Sequence, residues 1–283
     1  MTTNPALQRY RLRTELKKAR TAVPLTQREV ADYLDWSASK VIRIESGDVG
    51  VSSTDLKALV DRYGIQEKYG ELVELAKGSR KQPWAEYRDL LSPETIKFFG
   101  FEASATIIRS CQNSIIPGLL QTQDYTRALL TKAYGLSVAQ AERHIDVRRE
   151  RQELLVPTPA SPKAFFVLDE AVLRRIVGGV TVMRRQLERL EELAERPRVT
   201  IQVLPLSVDA NFAMRGPFVY LEFADRDDPD VLYLENARGE QVFRNVKETT
   251  EPYRRGFQSL EDLASDPEQI SEQVKNAIRD IGR

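Results

Sequence analysis

Residues 26–47, TQREVADYLDWSASKVIRIESG, decide the fold of the N-terminal part of this chain. Thr26 and Glu29 have the spacing of a capping box, in which the threonine side chain binds the N3 amide and the glutamate reaches back. Ser37 is a favourable N-cap for a following helix, and Gly47 is suited to the C′ position that ends it. The stretch therefore predicts two short helices joined by a tight turn.

Three more helices are predicted around this pair. Before it, apolar residues recur at helical spacing, at Leu12, Leu16 and Ala19. After it, Ser52 and Asp55 form a possible second capping box, and residues 67–78, EKYGELVELAKG, indicate a fifth helix. In the helix after Ser37, the pattern directs Val41 and Ile44 inward and leaves polar side chains outside.

The first seventy-odd residues resemble the five-helix DNA-binding domain of lambda-repressor-like (Xre-type) helix-turn-helix regulators. The resemblance rests on T-Q-x-E-[VL]-A-x-x-[LM], a short turn, and S-x-S-x-[VI]-x-x-[IL]-E-x-G, with Asp35 in the turn where glycine is usual. It implies an ion pair between Arg20 and Glu45. It also implies these DNA-binding residues: Gln27, Ser37, Ala38, Ser39, Lys40 and Arg43.

Within that set the resemblance implies different roles. Gln27 would touch the DNA backbone and brace the recognition helix, while Ser37 and Lys40 would contact phosphates. Ala38, Ser39 and Arg43 would lie nearest the base edges, and arginine is suited to a bidentate contact with guanine. The alternative is a small helical module with a solvated charged face that serves protein interaction.

Composition limits the remaining possibilities. The chain has 283 residues, which favours two domains, with 42 basic and 42 acidic residues. Over residues 1–70, however, Lys and Arg exceed Asp and Glu, twelve against nine. One cysteine, Cys111, and one histidine, His144, leave no disulfide framework and no imidazole metal site, so neither metal nor cofactor is expected. Without a signal sequence or an apolar span, a cytoplasmic protein is expected.

The domain organisation predicted from these features is α+β and multidomain. Residues 1–76 form the all-α DNA-binding domain, residues 77–82 a polar linker, and residues 83–283 a mixed α/β domain with a small sheet flanked by helices. Strands are predicted near residues 106–116 and 163–168 and in four later runs, with helices between and after them.

This second region is similar to the WhiJ-like, antitoxin-type family of actinobacterial regulators. The resemblance rests on motifs in the family's order, among them IIPGLLQT (115–122), FVLDEAVLRRIVGG (166–179), VTIQVLPLS (199–207) and DVLYLEN (230–236). It implies a transcriptional regulator, often encoded beside a small protein that can bind the C-terminal domain. The family supplies no catalytic residues.

Several candidate sites in this region have two interpretations. Leu119 and Leu120 indicate either a partner or ligand surface or a packed strand-to-helix corner. Loop 207–217, with Phe212 and Met214, is either a binding loop or a simple connection.

Charged residues and the cysteine of this region favour structural roles. His144 and the basic run Arg148, Arg149 and Arg151 are expected on a solvated helix surface, since acidic residues alternate with them. Cys111 is expected to be buried. Glu170 and Glu235 are expected in capping and ion pairing, so no catalytic residue is assigned.

The function predicted from the sequence is a sequence-specific DNA-binding transcriptional regulator that is not an enzyme. It would act as a homodimer on an inverted-repeat operator in double-stranded DNA, and its C-terminal domain would sense a small protein or ligand. The alternative is an antitoxin-like protein that mainly sequesters a small partner protein encoded by a neighbouring gene, with DNA binding secondary.

Overall fold

The computed structural model describes residues 5–46, 49–79, 84, 87–159, 161–224, 229–236 and 239–282. The chain divides into two compact units, Met1–Ala85 and Glu86–Arg283. The C′ position predicted for Gly47 lies outside the described residues. No helix in the described ranges is long and apolar enough to cross a membrane.

The N-terminal unit is all-α. Its helices are α1 (Pro5–Ala22), α2 (Gln27–Tyr33), α3 (Ala38–Ser46), α4 (Ser53–Tyr63) and α5 (Tyr69–Ser79). Local signals set their ends. Thr26 and Glu29 form the predicted capping box of α2, the Ser37 hydroxyl accepts from the Lys40 amide, and Gly64 ends α4 with a φ of 71°. The predicted five-helix fold is confirmed.

One apolar core holds these helices together. Four of the five predicted inward residues of α1 and α3 are buried and Ala19 is partly buried, while α2, α4 and α5 add further fully buried side chains. The best buried members of the cluster are Leu16, Val30, Leu56, Leu59 and Leu72. Burying such a side chain contributes about 1.5–3 kcal/mol, so the core rather than the short helices themselves stabilises the unit.

Two sequence predictions need correction here. The predicted linker begins too early, because α5 continues through Ser79 and residues 77–79 are therefore helical; residues 80–83 lie outside the described ranges. At α4, the Ser52 hydroxyl accepts from the Asp55 amide, but the Asp55 carboxylate binds Lys40 of α3. Asp35 adopts a φ of 55°, which aspartate tolerates better than most residues.

The C-terminal unit is a mixed α/β fold, as predicted. Its helices are α6 (Pro93–Glu102), α7 (Gln123–Lys132), α8 (Val138–Gln152), α9 (Glu170–Arg174), α10 (Val180–Ala194), α11 (Lys247–Leu263) and α12 (Ile270–Ile281). Its strands are β1 (Ile107–Gln112), β2 (Lys163–Asp169), β3 (Val199–Leu204), β4 (Phe218–Glu222), β5 (Val231–Asn236) and β6 (Gly239–Arg244). The strand order is β3-β2-β1-β4-β5-β6, with the first three parallel and the other pairings antiparallel.

Side chains that alternate along the strands cover both faces of the sheet. On one face, Cys111, Val167 and Phe218 pack against Phe257 and Leu260 of α11. The other face bears Ile108, Ser110, Phe166, Val219 and Tyr233, which border a cavity beneath α6 and α8. This second face is where the C-terminal unit leaves internal space.

Candidate functional site

A buried carboxylate braces the predicted recognition helix. Glu45 of α3 accepts two hydrogen bonds from Arg20 of α1, at 2.7 and 3.0 Å, and a third from Gln27 Nε2 of α2 at 2.8 Å. Arg20 also donates to the Leu25 carbonyl at 2.6 Å. The two charged side chains are only 11% and 4% exposed, so α1, α2 and α3 are joined by a desolvated, bidentate ion pair.

The outer face of α3 is polar and accessible. Ser37, Ala38, Ser39 and Arg43 are exposed, whereas Val41 and Ile44 on the opposite side are buried. Ile42 is also exposed, and it was not among the predicted contact residues. An exposed helix of this size fits the major groove of B-DNA, where serine and arginine side chains can bind base edges.

Lys40 is less available than the sequence indicated. Its ammonium lies 2.7 Å from the Asp55 carboxylate of α4 and 3.7 Å from the centroid of the Trp36 ring. This pairing places an acidic group beside a residue expected on phosphate. To contact a DNA phosphate as predicted, the Lys40 ammonium must therefore leave the Asp55 carboxylate or bind both groups at once.

Another surface feature was missed from the sequence. Tyr33, at the end of α2, is largely exposed, and the Arg62 guanidinium of α4 lies 4.1 Å from its ring centroid. Local sequence spacing could not predict this contact, because the two residues come together only when α2 and α4 pack. Such a pair adds an aromatic and basic edge near α2.

The N-terminus of α2 is closed by its own capping box. The Glu29 carboxylate accepts from the Thr26 amide at 2.7 Å and from the Thr26 hydroxyl at 2.8 Å. These hydrogen bonds hold the pKa of Glu29 below its ordinary value. The carboxylate therefore stays charged at neutral pH and stabilises the first turn of α2.

The leucines predicted as a partner surface in the C-terminal unit are buried. Leu119 and Leu120 lie in a short 3-10 turn after β1, and neither is accessible to a protein partner. The interpretation as a packed strand-to-helix corner is therefore correct for Leu120. Leu119 is also buried and borders the cavity beneath α6 and α8.

Glutamines from α8, from α10 and from the corner itself hold its backbone in place. Gln152 of α8 donates to the carbonyls of Gly118 and Gln121, and Gln186 of α10 donates to the Leu120 carbonyl at 2.9 Å. Gln121 itself donates to the Ile116 carbonyl at 2.6 Å. Buried carbonyl groups need such partners, so the corner is rigidly positioned.

The predicted binding loop is divided between core and surface. Phe212 packs edge-on against Phe218 and Tyr253, at centroid distances of 5.8 and 5.2 Å, and is thus part of the α11 side of the core. Met214 is 69% exposed and remains available for contact. Phe212 is therefore only partly exposed, because its ring packs against the core on the α11 side.

Helix α8 is not the uniformly solvated helix that its alternating charges indicated. Arg149 is exposed, but Arg151 forms a bidentate pair with the buried Glu102, at 2.7 and 2.9 Å. Arg148 and His144 border the internal cavity. His144 is half-buried rather than on the surface, and this burial lowers its pKa.

The remaining candidates have structural surroundings. Cys111 is buried as predicted, and burial raises the pKa of its thiol to about 12. Glu170 accepts from the Leu206 amide at 2.9 Å and pairs with Arg174, and these contacts hold its pKa below the ordinary value. Within the described part of the chain, these contacts indicate structural roles for both residues.

Comparisons with known protein families agree with both halves of this description. Residues 11–74 match the model of a helix-turn-helix domain, which indicates a DNA-binding regulator. Residues 96–276 match the model described as a domain of unknown function (DUF5753). No curated protein and no solved structure matches the chain. Because the second match covers more than half of the chain, this protein belongs to the DUF5753 family, with a helix-turn-helix domain ahead of the family's domain.

Proposed function

We propose that the protein is a sequence-specific transcriptional regulator that binds double-stranded DNA as a homodimer and is not an enzyme. The observation behind this proposal is the accessible polar face of α3. Hydrogen bonds from Arg20 and Gln27 to Glu45 hold this helix in place. A rigid helix that presents Ser39 and Arg43 to solvent has the side chains needed for reading base edges.

In this proposal, dimerisation compensates for the modest charge of the helix-turn-helix unit. Three excess basic residues over positions 1–70 give limited affinity for phosphates. Two units about 34 Å apart would read successive major grooves, and their operator would be an inverted repeat. In this proposal the C-terminal domain receives the regulatory signal, from a small protein or a small molecule. The small protein is the partner that the resemblance to WhiJ-like regulators implies.

The test is selection of duplexes from a random library by the full chain. We expect an inverted repeat to be enriched, and the Arg43→Ala variant to lose preference at one base pair per half-site, a loss of about 1–3 kcal/mol of discrimination. Lys77→Ala is the matched control, because Lys77 is an exposed cation on α5, away from α3.

The outcomes separate the two interpretations of the helix-turn-helix unit. Enrichment that depends on Arg43 but not on Lys77 supports a regulator. If the wild-type chain enriches no sequence, or if Arg43→Ala retains full preference at every position, the recognition-helix assignment is wrong.

A further inference from the structure

A cavity of about 350 Å³ lies within the C-terminal unit, between the sheet and helices α6 and α8. Protein interiors are packed with few voids larger than a water molecule. Pockets that bind small molecules have volumes of about 300–1,000 Å³. The space is therefore of a size suited to a ligand.

Much of the cavity wall is aromatic or aliphatic. Phe98 and Phe99 of α6, Leu130 of α7 and Phe166 of β2 contribute apolar surface. Phe98 stacks on Tyr233 of β5 with 4.0 Å between the ring centroids, so this part of the wall is flat and rigid. A ligand with an aromatic or branched aliphatic body would bury its surface here.

Two polar groups of the wall lack partners. Arg148 Nη1 on α8 and Ser110 Oγ on β1 are both shielded from solvent and make no hydrogen bond among the described residues. Both residues border the cavity. Buried donors are nearly always satisfied in folded proteins, and an unsatisfied cationic donor is especially unfavourable. An acceptor that enters the cavity would satisfy them.

Among the charged residues that border the cavity, Arg148 is the one suited to bind an anion. Arg151 is already neutralised by Glu102 through two hydrogen bonds, and Glu240 accepts from the Ser92 hydroxyl at 2.8 Å. Glu235 also borders the cavity, and its carboxylate interacts electrostatically with Arg148, but no hydrogen bond among the described residues reaches Arg148 Nη1.

The protonation states of Arg148 and His144 also favour binding of an anion. Burial and the nearby Arg151 lower the pKa of Arg148 to about 10, so its guanidinium is still charged at neutral pH. The lowered pKa of His144 favours a neutral imidazole beside it. Arg148, which borders the cavity with an unsatisfied Nη1, is therefore the cation that would receive an anionic ligand group.

We propose that this cavity binds a small organic acid. Its apolar body packs against Phe98, Phe99 and Phe166, and its carboxylate accepts hydrogen bonds from Arg148 and Ser110. The inference rests on the proposed function in one respect, since the acid would be the signal that the C-terminal domain receives.

The test measures binding to the full chain by calorimetry, without DNA, and uses 4-phenylbutyrate, its primary amide and 4-phenylbutylamine as probes. The acid is expected to bind at least tenfold more tightly than the amide. Arg148→Met should abolish that preference, because it removes the cation and keeps an apolar side chain of similar length. Arg149→Met is the matched control, since Arg149 is exposed on the same helix, and should leave the preference unchanged.

Thermal unfolding of each variant shows whether a loss of binding reflects a loss of folded protein. Arg148→Met should be at least as stable as wild type, because it eliminates a buried unpartnered donor. Ser110→Ala provides a second variant, for which acid affinity should fall severalfold. Equal affinity for acid and amide, tighter binding of the amine, or no binding of any probe at millimolar concentration would overturn the proposal.

These results are independent of the DNA experiment. If the chain selects an operator but binds none of the three probes, the proposed regulator is supported and the proposed acid site is wrong. If the chain binds the acid more tightly than the amide through Arg148 but selects no duplex, the acid site is supported and the proposed regulator is wrong.

Discussion

Glu45 shows how one residue positions a whole surface. Its carboxylate receives hydrogen bonds from Arg20 and Gln27, which belong to different helices. Losing one partner of a buried ion pair costs about 3–5 kcal/mol, because the other charge is left desolvated. The family resemblance implied this pair, because Arg20 and Glu45 occupy the positions at which lambda-repressor-like regulators often bury an ion pair.

Arg148 shows where sequence reasoning fails at the same scale. Its neighbours along α8 alternate in charge, a pattern typical of a solvated surface. The side chain instead borders a cavity, because the sheet and α6 cover that side of α8. Those elements are distant in the sequence, so no local pattern could have indicated its burial.

The contact between Lys40 and Asp55 leads to a prediction at this scale. If Lys40 binds a phosphate, Lys40→Ala should weaken all DNA sequences alike and reduce the salt slope of binding by about one. Asp55→Asn should have the opposite effect, because it releases Lys40 from a carboxylate 2.7 Å away. Fluorescence anisotropy of a labelled duplex across a salt series measures both variants.

The same pair of variants can contradict this view. If the ion pair is purely structural, Lys40→Ala leaves the salt slope unchanged and Asp55→Asn gains no affinity. Lys77→Ala serves again as the control for removal of one exposed charge.

At the scale of elements, helix starts were the most predictable features. Thr26 and Ser37 were both expected to cap helices, and each accepts the expected backbone hydrogen bond. Capping depends on residues within one turn, so a single sequence contains the necessary information. The end of α5 was less predictable, because a polar Gly- and Ser-containing segment is compatible with both a helix end and a linker.

The capping box of α2 has a pH-dependent consequence. Because hydrogen bonds from Thr26 lower the pKa of Glu29 in the folded state, its carboxylate stabilises the fold above the unfolded pKa of about 4.3. That contribution is lost as the pH falls through the lowered folded value. Glu29→Gln should therefore destabilise the N-terminal unit at pH 7 and have no effect once the pH is below that value.

Tryptophan fluorescence during urea unfolding measures this effect, since Trp36 and Trp84 both lie in the N-terminal unit. Thr26→Ala removes the other half of the box and should cost about 1 kcal/mol. Glu74→Gln is the control, an exposed glutamate on α5. A difference between wild type and Glu29→Gln that persists unchanged at low pH would contradict the role given to the carboxylate.

At the scale of the whole molecule, the sequence predicted the two kinds of unit but not the arrangement of the second. Each strand was recognised from its apolar and β-branched residues, whereas the order β3-β2-β1-β4-β5-β6 depends on pairing between distant segments. In particular, β1 lies between β2 and β4, which are separated by more than forty residues of chain. The cavity is a product of that order and was invisible for the same reason.

The proposed dimer makes a prediction about DNA geometry. If two α3 helices read one face of the duplex, half-sites must be separated by about one helical turn of 10–10.5 bp, centre to centre. Inserting five base pairs between the selected half-sites rotates one of them to the opposite face and should reduce affinity toward that of a single half-site. Inserting ten base pairs restores the face and should recover more affinity than five. Mobility-shift titrations of the three duplexes and of a single half-site test this dependence, and equal affinity for all of them would show that the chain binds DNA without a fixed dimer.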